Sequence, residues 1–260
     1  MKAAVIIPSR YASTRFNGKP LALINGLPMI RHVYDNAKKA ALPETVIVAT
    51  DDERIVDAVR AFGGEAIMTG THHKSGTDRI FEAASAPNNN IYDIIVNVQG
   101  DEPLIRPDMI DAVIELLISD SRAGIATLKK RITEAEAIFD PNVVKVVTDA
   151  DGFAMYFSRA PIPYYREFTT ITKDCNIIFS GSTGQTHYYK HIGIYGYRRE
   201  ILQRMAGLTE SPLERAESLE QLRAMDNGIR IKVGQTTHET IGVDCPTDIE
   251  KVKKWLNTYS

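Results

Sequence analysis

The chain opens on an uninterrupted apolar run, Ala3-Ala4-Val5-Ile6-Ile7. Such continuity suits a strand buried on both faces of a parallel sheet better than a half-exposed one. A polar loop over residues 8–20 follows, and Pro28 then opens a helical stretch over 29–40, in a first-turn position where its missing N–H costs nothing. Residues 45–50 (TVIVAT) form a second buried-type strand, and Asp51 or Asp52 caps a helix over 55–62 that Gly63-Gly64 closes. A short strand over 65–68, a helix over 76–84, an apolar strand over 94–98 and a helix over 107–119 continue the alternation.

The pattern changes after Gly124. Strand-like pieces at 125–128, 143–148 and 153–157 surround one helix near 134–139, which predicts a mixed sheet or an inserted hairpin region. Residues 169–187, rich in Gly, Ser, Thr and Asn with little periodicity, read as a mobile loop or an interface segment. A strand over 192–197, helices over 199–206 and 214–226, a strand over 229–233 and a helix over 246–257 complete the chain. The expected class is α/β, a doubly wound Rossmann-like arrangement with a mixed, mainly parallel sheet. Ligands bind beyond the carboxyl ends of the strands in such sheets, so function is expected in the loops that follow them.

Composition narrows the field without naming a chemistry. At 260 residues, 43% hydrophobic and 25% charged, the chain is an ordinary globular protein. Its formal net charge of -2 gives no sequence-wide attraction to nucleic acid or membrane. Cys175 and Cys245 carry no CxxC spacing, which points to a reducing compartment rather than a disulfide framework or a zinc site. The initial apolar run is far shorter than a signal sequence or a membrane span and is read as a strand.

Three post-strand loops are chemically loaded. Residues 8–20 space Arg10, Arg15 and Lys19 along a segment that also offers Ser13 and Gly18, a combination able to wrap a polyphosphate; neither a Walker loop nor a GxGxxG fingerprint is present. Gln99-Gly100-Asp101-Glu102-Pro103 places carboxylates at a strand end, where Mg²⁺ takes one or two carboxylates plus substrate phosphates; a capped turn is the plainer alternative. Gly242-Val243-Asp244-Cys245-Pro246 offers Asp244 either as a metal ligand or as a helix cap. A fourth segment, residues 72–79 (HHKSGTDR), precedes a helix and suits a nucleoside-contacting loop or a cap; the adjacent His72 and His73 lack the spacing of a zinc site.

These loops, in this order, resemble the 3-deoxy-manno-octulosonate cytidylyltransferase family. The matching strings are IPSRYASTR with GKPL, SGTDR, VNVQGDEP, YFSRAPIP, HIGIYGY, SPLE with LEQLR, and GVDCPTD, running from Ile7 to Asp248. The resemblance implies a single nucleotidyltransferase domain over 1–260, with 125–200 contributing the sugar-binding and dimer region. It also implies a cytoplasmic homodimer that uses CTP and Mg²⁺ to activate an acidic octulosonate sugar for lipopolysaccharide. By matching motif, Arg10, Ser13, Arg15, Lys19, Ser75 and Arg79 are expected to bind the nucleotide, with Lys19, Asp101 and Asp244 catalytic. Asp101 and Asp244 are the expected metal ligands. Gln99, Arg159, His191, Tyr195, Glu214 and Glu217 are expected on the sugar.

The sequence departs from the family pattern at Phe16-Asn17, at Arg215 and at Cys245. Glu214 and Glu217, at i and i+3 of one expected helix, would favour a protonated amine over a hydroxyl at the sugar's eighth position. The 8-amino sugar therefore stands beside the 8-hydroxy form. A cytidylyltransferase for another acidic sugar, such as a sialic acid, and a non-catalytic nucleotide-binding protein on the same fold remain as alternatives.

Overall fold

The computed structural model describes residues 1–12, 16–73, 75–166, 169–171, 177–179 and 187–259. The parallel core runs through β1 (Ala3–Ser9), β4 (Thr45–Thr50), β5 (Glu65–Met68) and β6 (Ile94–Asn97), numbered with a small antiparallel hairpin, β2 (Leu23–Ile24) and β3 (Leu27–Pro28). Pairing of β1 with β4 and β6, and of β4 with β5, is parallel throughout. The continuous apolar runs are explained by burial: every residue of β4 and of β6 is enclosed. Helices α1 (Met29–Ala37), α2 (Glu53–Ala61) and α4 (Pro107–Ser119) pack on one face, and α3 (Gly76–Ser85) on the other. Of the two candidate caps for α2, Asp52 is the one used, accepting from the Arg54 N–H at 3.0 Å.

The second half extends the same sheet. β7 (Ile125–Arg131) and the short helix α5 (Ala135–Phe139) lead into β8 (Lys145–Thr148) and β9 (Ala154–Ser158). A short antiparallel hairpin, β10 (Thr169–Ile171) with β11 (Ile177–Phe179), lies within the segment read from sequence as a loop; the rest of that segment up to residue 186 is outside the described residues. β12 (Tyr189–Arg198) runs antiparallel to both β6 and β7 and separates them, giving the order β13-β7-β12-β6-β1-β4-β5 once β13 (Ile231–Thr236) is added. β8 pairs with β12 and β9, so the mixed sheet expected after Gly124 is what forms.

One expected helix is two. Residues 214–226 divide into α7 (Pro212–Glu217) and α8 (Gln221–Asp226), following α6 (Arg199–Ala206), because Ser218 adopts the left-handed conformation (φ 51°) and ends α7. The closing helix α9 (Pro246–Tyr259) packs through Ile249 and Val252 against Ile24, Met29, Leu104 and Val243, with Phe16 beside them. That cluster joins three segments distant in sequence: the loop after β1, the loop after β6 and the loop before α9. Among the described residues no helix is long and apolar enough to cross a membrane.

Candidate active site

The loop after β1 folds back on itself. The Gly18 N–H donates to the Tyr11 carbonyl at 2.9 Å, and Gly18 takes a positive φ of 69° with the Tyr11 ring where a β-carbon would stand 3.2 Å away. Both conditions favour glycine. The 3₁₀ turn Lys19–Leu21 follows, and it aims the Lys19 ammonium at the sheet's carboxyl edge. There Nζ lies 2.6 Å from Asp101 Oδ2 and 3.8 Å from Asp244 Oδ1. The two aspartates are brought together by backbone as well as by the apolar cluster beneath: the Val243 N–H donates to the Asp101 carbonyl at 2.9 Å.

Asp244 is not the helix cap. Asp248 Oδ2 accepts from the N–H groups of Asp244 and Cys245 at 3.0 and 3.1 Å, which leaves the Asp244 carboxylate turned towards Lys19. Gly100 supplies the remaining closeness. A β-carbon there would meet Ser9 Oγ at 2.5 Å and the Pro8 carbonyl at 2.8 Å, so the 99–101 loop lies directly on the end of β1 only because this residue lacks one.

Between these loops opens a cleft of about 420 Å³, lined by Pro8, Arg10, Lys19, Gly76, Gln99 and Asp101 among others. Arg10 ties its far wall, donating to the carbonyls of His73 (2.6 Å) and Ser75 (3.3 Å). Ser75 caps α3 through its hydroxyl, which accepts from the Asp78 N–H at 3.1 Å. Arg79, expected on the nucleotide, is instead wholly buried and bonds to Asp51 Oδ2 (2.7 Å) and to the Thr69 hydroxyl, tying α3 to the ends of β4 and β5. Ser13 and Arg15 lie outside the described residues. The ring of His73 pairs with the Glu82 carboxylate.

A second, enclosed pocket of about 90 Å³ adjoins the cleft through Gln99, which lines both. Its other walls are Asn97, Tyr195, Tyr197, Glu220 and Gln221, with Ile125 and Met205. Asn97 Oδ1 and Gln221 Nε2 are buried there with no hydrogen-bond partner among the described residues. Glu220 accepts from the Thr77 hydroxyl at 2.7 Å, and burial raises its carboxyl above the ordinary glutamate value. His191 neighbours the pocket: its ring contacts Tyr195 and Phe157, Nε2 lies 3.0 Å from the Thr127 hydroxyl, and burial lowers its pKa to about 3, which keeps the imidazole neutral. Burial likewise raises the Tyr195 phenol, and it pushes Glu102, beside Asp101, up to about 7.

The structure distributes the remaining expected sugar residues differently from their sequence reading. Glu214 is buried in a capping box with Ser211 and is held by Arg223 through both oxygens, at 2.7 and 2.6 Å. Glu217 accepts from the Ser158 hydroxyl (2.6 Å) and the Arg159 N–H (2.9 Å). Arg159 donates to the carbonyls of Glu217, Pro141 and Ser218. Arg215 is exposed and paired with Glu210. Glu214 and Glu217, though three apart on α7, therefore do not act on one group. Glu220 and Gln221 were missed as pocket residues; the string LEQLR contains both, but helical spacing from Glu214 hid the turn at Ser218 that swings them inward.

A family model described as cytidylyltransferase matches residues 4–231. A 3-deoxy-manno-octulosonate cytidylyltransferase of Geobacter metallireducens is 52% identical over 259 residues, covering 100% of this chain and 99% of the relative. That of Thermodesulfovibrio yellowstonii is 49% identical, with 100% of each chain covered. A solved structure of CMP:2-keto-3-deoxy-manno-octonic acid synthetase complexed with CTP superposes with a TM-score of 0.88 at 44% identity, covering 100% of both chains. A cleft with Lys19, Asp101 and Asp244 at its edge, opening beside an enclosed pocket of aromatic, amide and carboxyl side chains, accords with those matches, and the chain belongs to the cytidylyltransferase family, among the 3-deoxy-manno-octulosonate cytidylyltransferases.

Proposed function

We propose that this chain joins CMP from CTP to 3-deoxy-manno-octulosonate, releasing pyrophosphate, with the 8-hydroxy sugar as substrate. The observation that carries the reading is the position of Gln99: it lines both the charged cleft and the neutral pocket, so a nucleotide in one and a sugar in the other meet beside Asp101. The anomeric hydroxyl oxygen attacks the α-phosphorus and its proton passes to water, the bond from that phosphorus to the bridging oxygen breaks, and pyrophosphate leaves.

Lys19 supports this chemistry as a compact cation beside the phosphates, and Arg10 does so by fixing the wall carried by His73 and Ser75. The pair Asp101 and Asp244 suits Mg²⁺, because the two carboxylates already converge on one cation, the Lys19 ammonium. When bound, the ion supplies charge neutralisation on the phosphates. The unpartnered Asn97 and Gln221 atoms suit sugar hydroxyls, since a buried polar atom gains most from a partner that arrives with the ligand. The 8-hydroxy sugar is favoured because the carboxylates of Glu214 and Glu217 are already bonded within the chain. A cytoplasmic homodimer belongs to the same reading, and sedimentation of the purified chain checks the dimer.

Pyrophosphate release from CTP and Mg²⁺ with the 8-hydroxy sugar, the 8-amino sugar and a sialic acid tests the reading. The expected order of kcat/KM places the 8-hydroxy sugar first; equal or faster turnover of either rival overturns it.

A further inference from the structure

Lys145, the first residue of β8, has no solvent exposure. A buried ammonium is costly unless its donors are satisfied, and here the three partners are all backbone carbonyls: Asp140 at 3.0 Å, Val143 at 2.6 Å and Arg159 at 2.5 Å. No carboxylate lies within ion-pair distance of it among the described residues. Burial holds its pKa below the ordinary lysine value.

The carbonyls it gathers belong to two segments that other side chains also join. Arg159 donates back to the Pro141 carbonyl at 2.8 Å, so the 140–143 turn is gripped by Lys145 from one side and by Arg159 from the other. Arg159 further donates through Nε to the Glu217 carbonyl (2.6 Å), while the Glu217 carboxylate holds Ser158 Oγ and the Arg159 N–H. Glu217 ends α7. Ser218 then turns the chain through its left-handed conformation, and Glu220 and Gln221 follow as walls of the enclosed pocket. The path from the buried ammonium to the pocket thus runs through hydrogen bonds to backbone carbonyls and the short turn at Ser218.

We propose that Lys145 is a positioning residue for the sugar side of the site, locking the 140–143 turn and Arg159 into the brace that sets Glu220 and Gln221. This rests on the pocket being the sugar's place in the proposed reaction. The nucleotide cleft draws its walls from the loops after β1 and β6 and from the start of α3, none of which bonds to Lys145, the 140–143 turn, Arg159 or Glu217; the link to the braced segment is the bond between Glu220 and Thr77, so the sugar responds more than the nucleotide.

The experiment is steady-state kinetics of Lys145→Met in both substrates, with enzyme concentration set by CTP-binding stoichiometry. The expected result is a KM for the octulosonate raised about tenfold or more with the KM for CTP within about twofold of the parent. Unchanged KM values in the folded fraction, or a parallel rise in both, would show that Lys145 serves stability alone and would overturn the proposal. Ser158→Ala removes the bond to Glu217, and the one the hydroxyl accepts from the Ala160 N–H, without stranding a cation, and decides the matter should Lys145→Met not fold. A severalfold rise in the sugar KM alone supports the proposal, and an unshifted sugar KM overturns it. A parent inactive with this sugar overturns the reading of the reaction and this inference with it; an active parent with unshifted variants overturns the inference alone.

Discussion

The charged cleft, proposed for the nucleotide, and the enclosed pocket, proposed for the sugar, share Gln99 and are built by opposite means. The cleft is made of loops at the ends of parallel strands, and its polar groups are charged: Lys19 against Asp101 and Asp244, with Arg10 along the wall. The pocket is made of side chains from β6, β7, β12, α6 and the start of α8, and its polar walls are tyrosine rings, amides and a carboxyl that burial pushes towards its neutral form. Charges at a cleft edge suit a polyphosphate whose own charge changes during reaction, whereas uncharged donors and acceptors in an enclosed space suit hydroxyls. In the proposed reaction the difference separates the electrostatic task from the shape-reading task.

The sharpest break of that comparison comes from the charged side. Asp101→Asn should fold normally and lose about a hundredfold or more in kcat at saturating Mg²⁺, measured by pyrophosphate release. Near-parent turnover would remove Asp101 from the metal. Lys19→Ala should follow with a loss of roughly ten- to a hundredfold in kcat/KM for CTP, the cost of one charge-assisted contact. A change confined to the sugar's KM would place Lys19 on the wrong substrate.

On the neutral side, Glu220→Gln and Glu214→Gln separate a pocket acid from a structural one. Glu220→Gln should raise the sugar KM about tenfold or less with little change in Tm. Glu214→Gln should leave the sugar KM nearly unchanged while lowering Tm, since it weakens a buried bidentate pair with Arg223 at about 1–3 kcal/mol. Reversal of the two patterns would return Glu214 to the sugar.

The smallest expected effect concerns His191, whose folded pKa of about 3 lies below the ordinary 6.5. As pH falls through 6.5 the unfolded chain takes up a proton that the folded chain refuses, so this residue's share of stability is present above 6.5 and is lost progressively towards 3. Between pH 7 and 6 the loss is roughly 0.5–1 kcal/mol. His191→Gln should flatten that stretch of the stability profile, measured by urea unfolding at the two pH values; an identical slope in the variant would mean the imidazole is not held neutral.

The charged side was legible because Arg10 and Asp101 follow strands within a few residues and Lys19 shares the loop that Arg10 opens. The apolar runs before Pro8 and Gln99 fixed where those loops emerge, and the chemistry of Arg10, Lys19 and Asp101 could be read in place. Asp244 was ambiguous between cap and ligand, and the sequence did not announce that Asp248 would take the N–H groups of Asp244 and Cys245. The neutral side was legible as motif strings but not as geometry. Helical spacing assumed that 214–226 is continuous, and nothing in the composition of Ser218 announces a left-handed turn. Arg223, nine residues beyond Glu214, comes back to pair with it only because that turn exists. The burial of Lys145 was equally hidden, since a lysine at a strand's start ordinarily reads as an exposed residue.

The placement of β12 between β6 and β7 has a consequence for how the chain is made. On an emerging chain, β6 is apolar over Ile94, Ile95 and Val96 and pairs with β1 on one side, yet its other neighbour is not complete until Arg198 has been synthesised. Until then β6 is an open hydrophobic edge of the kind that recruits other chains. Insertion of β12 closes that edge, and it also brings Tyr195 opposite Asn97 to form the pocket. Protection from aggregation and assembly of the sugar side are thus one event, late in synthesis, and substitutions that delay β12 docking should lower the yield of soluble protein before they touch any rate constant.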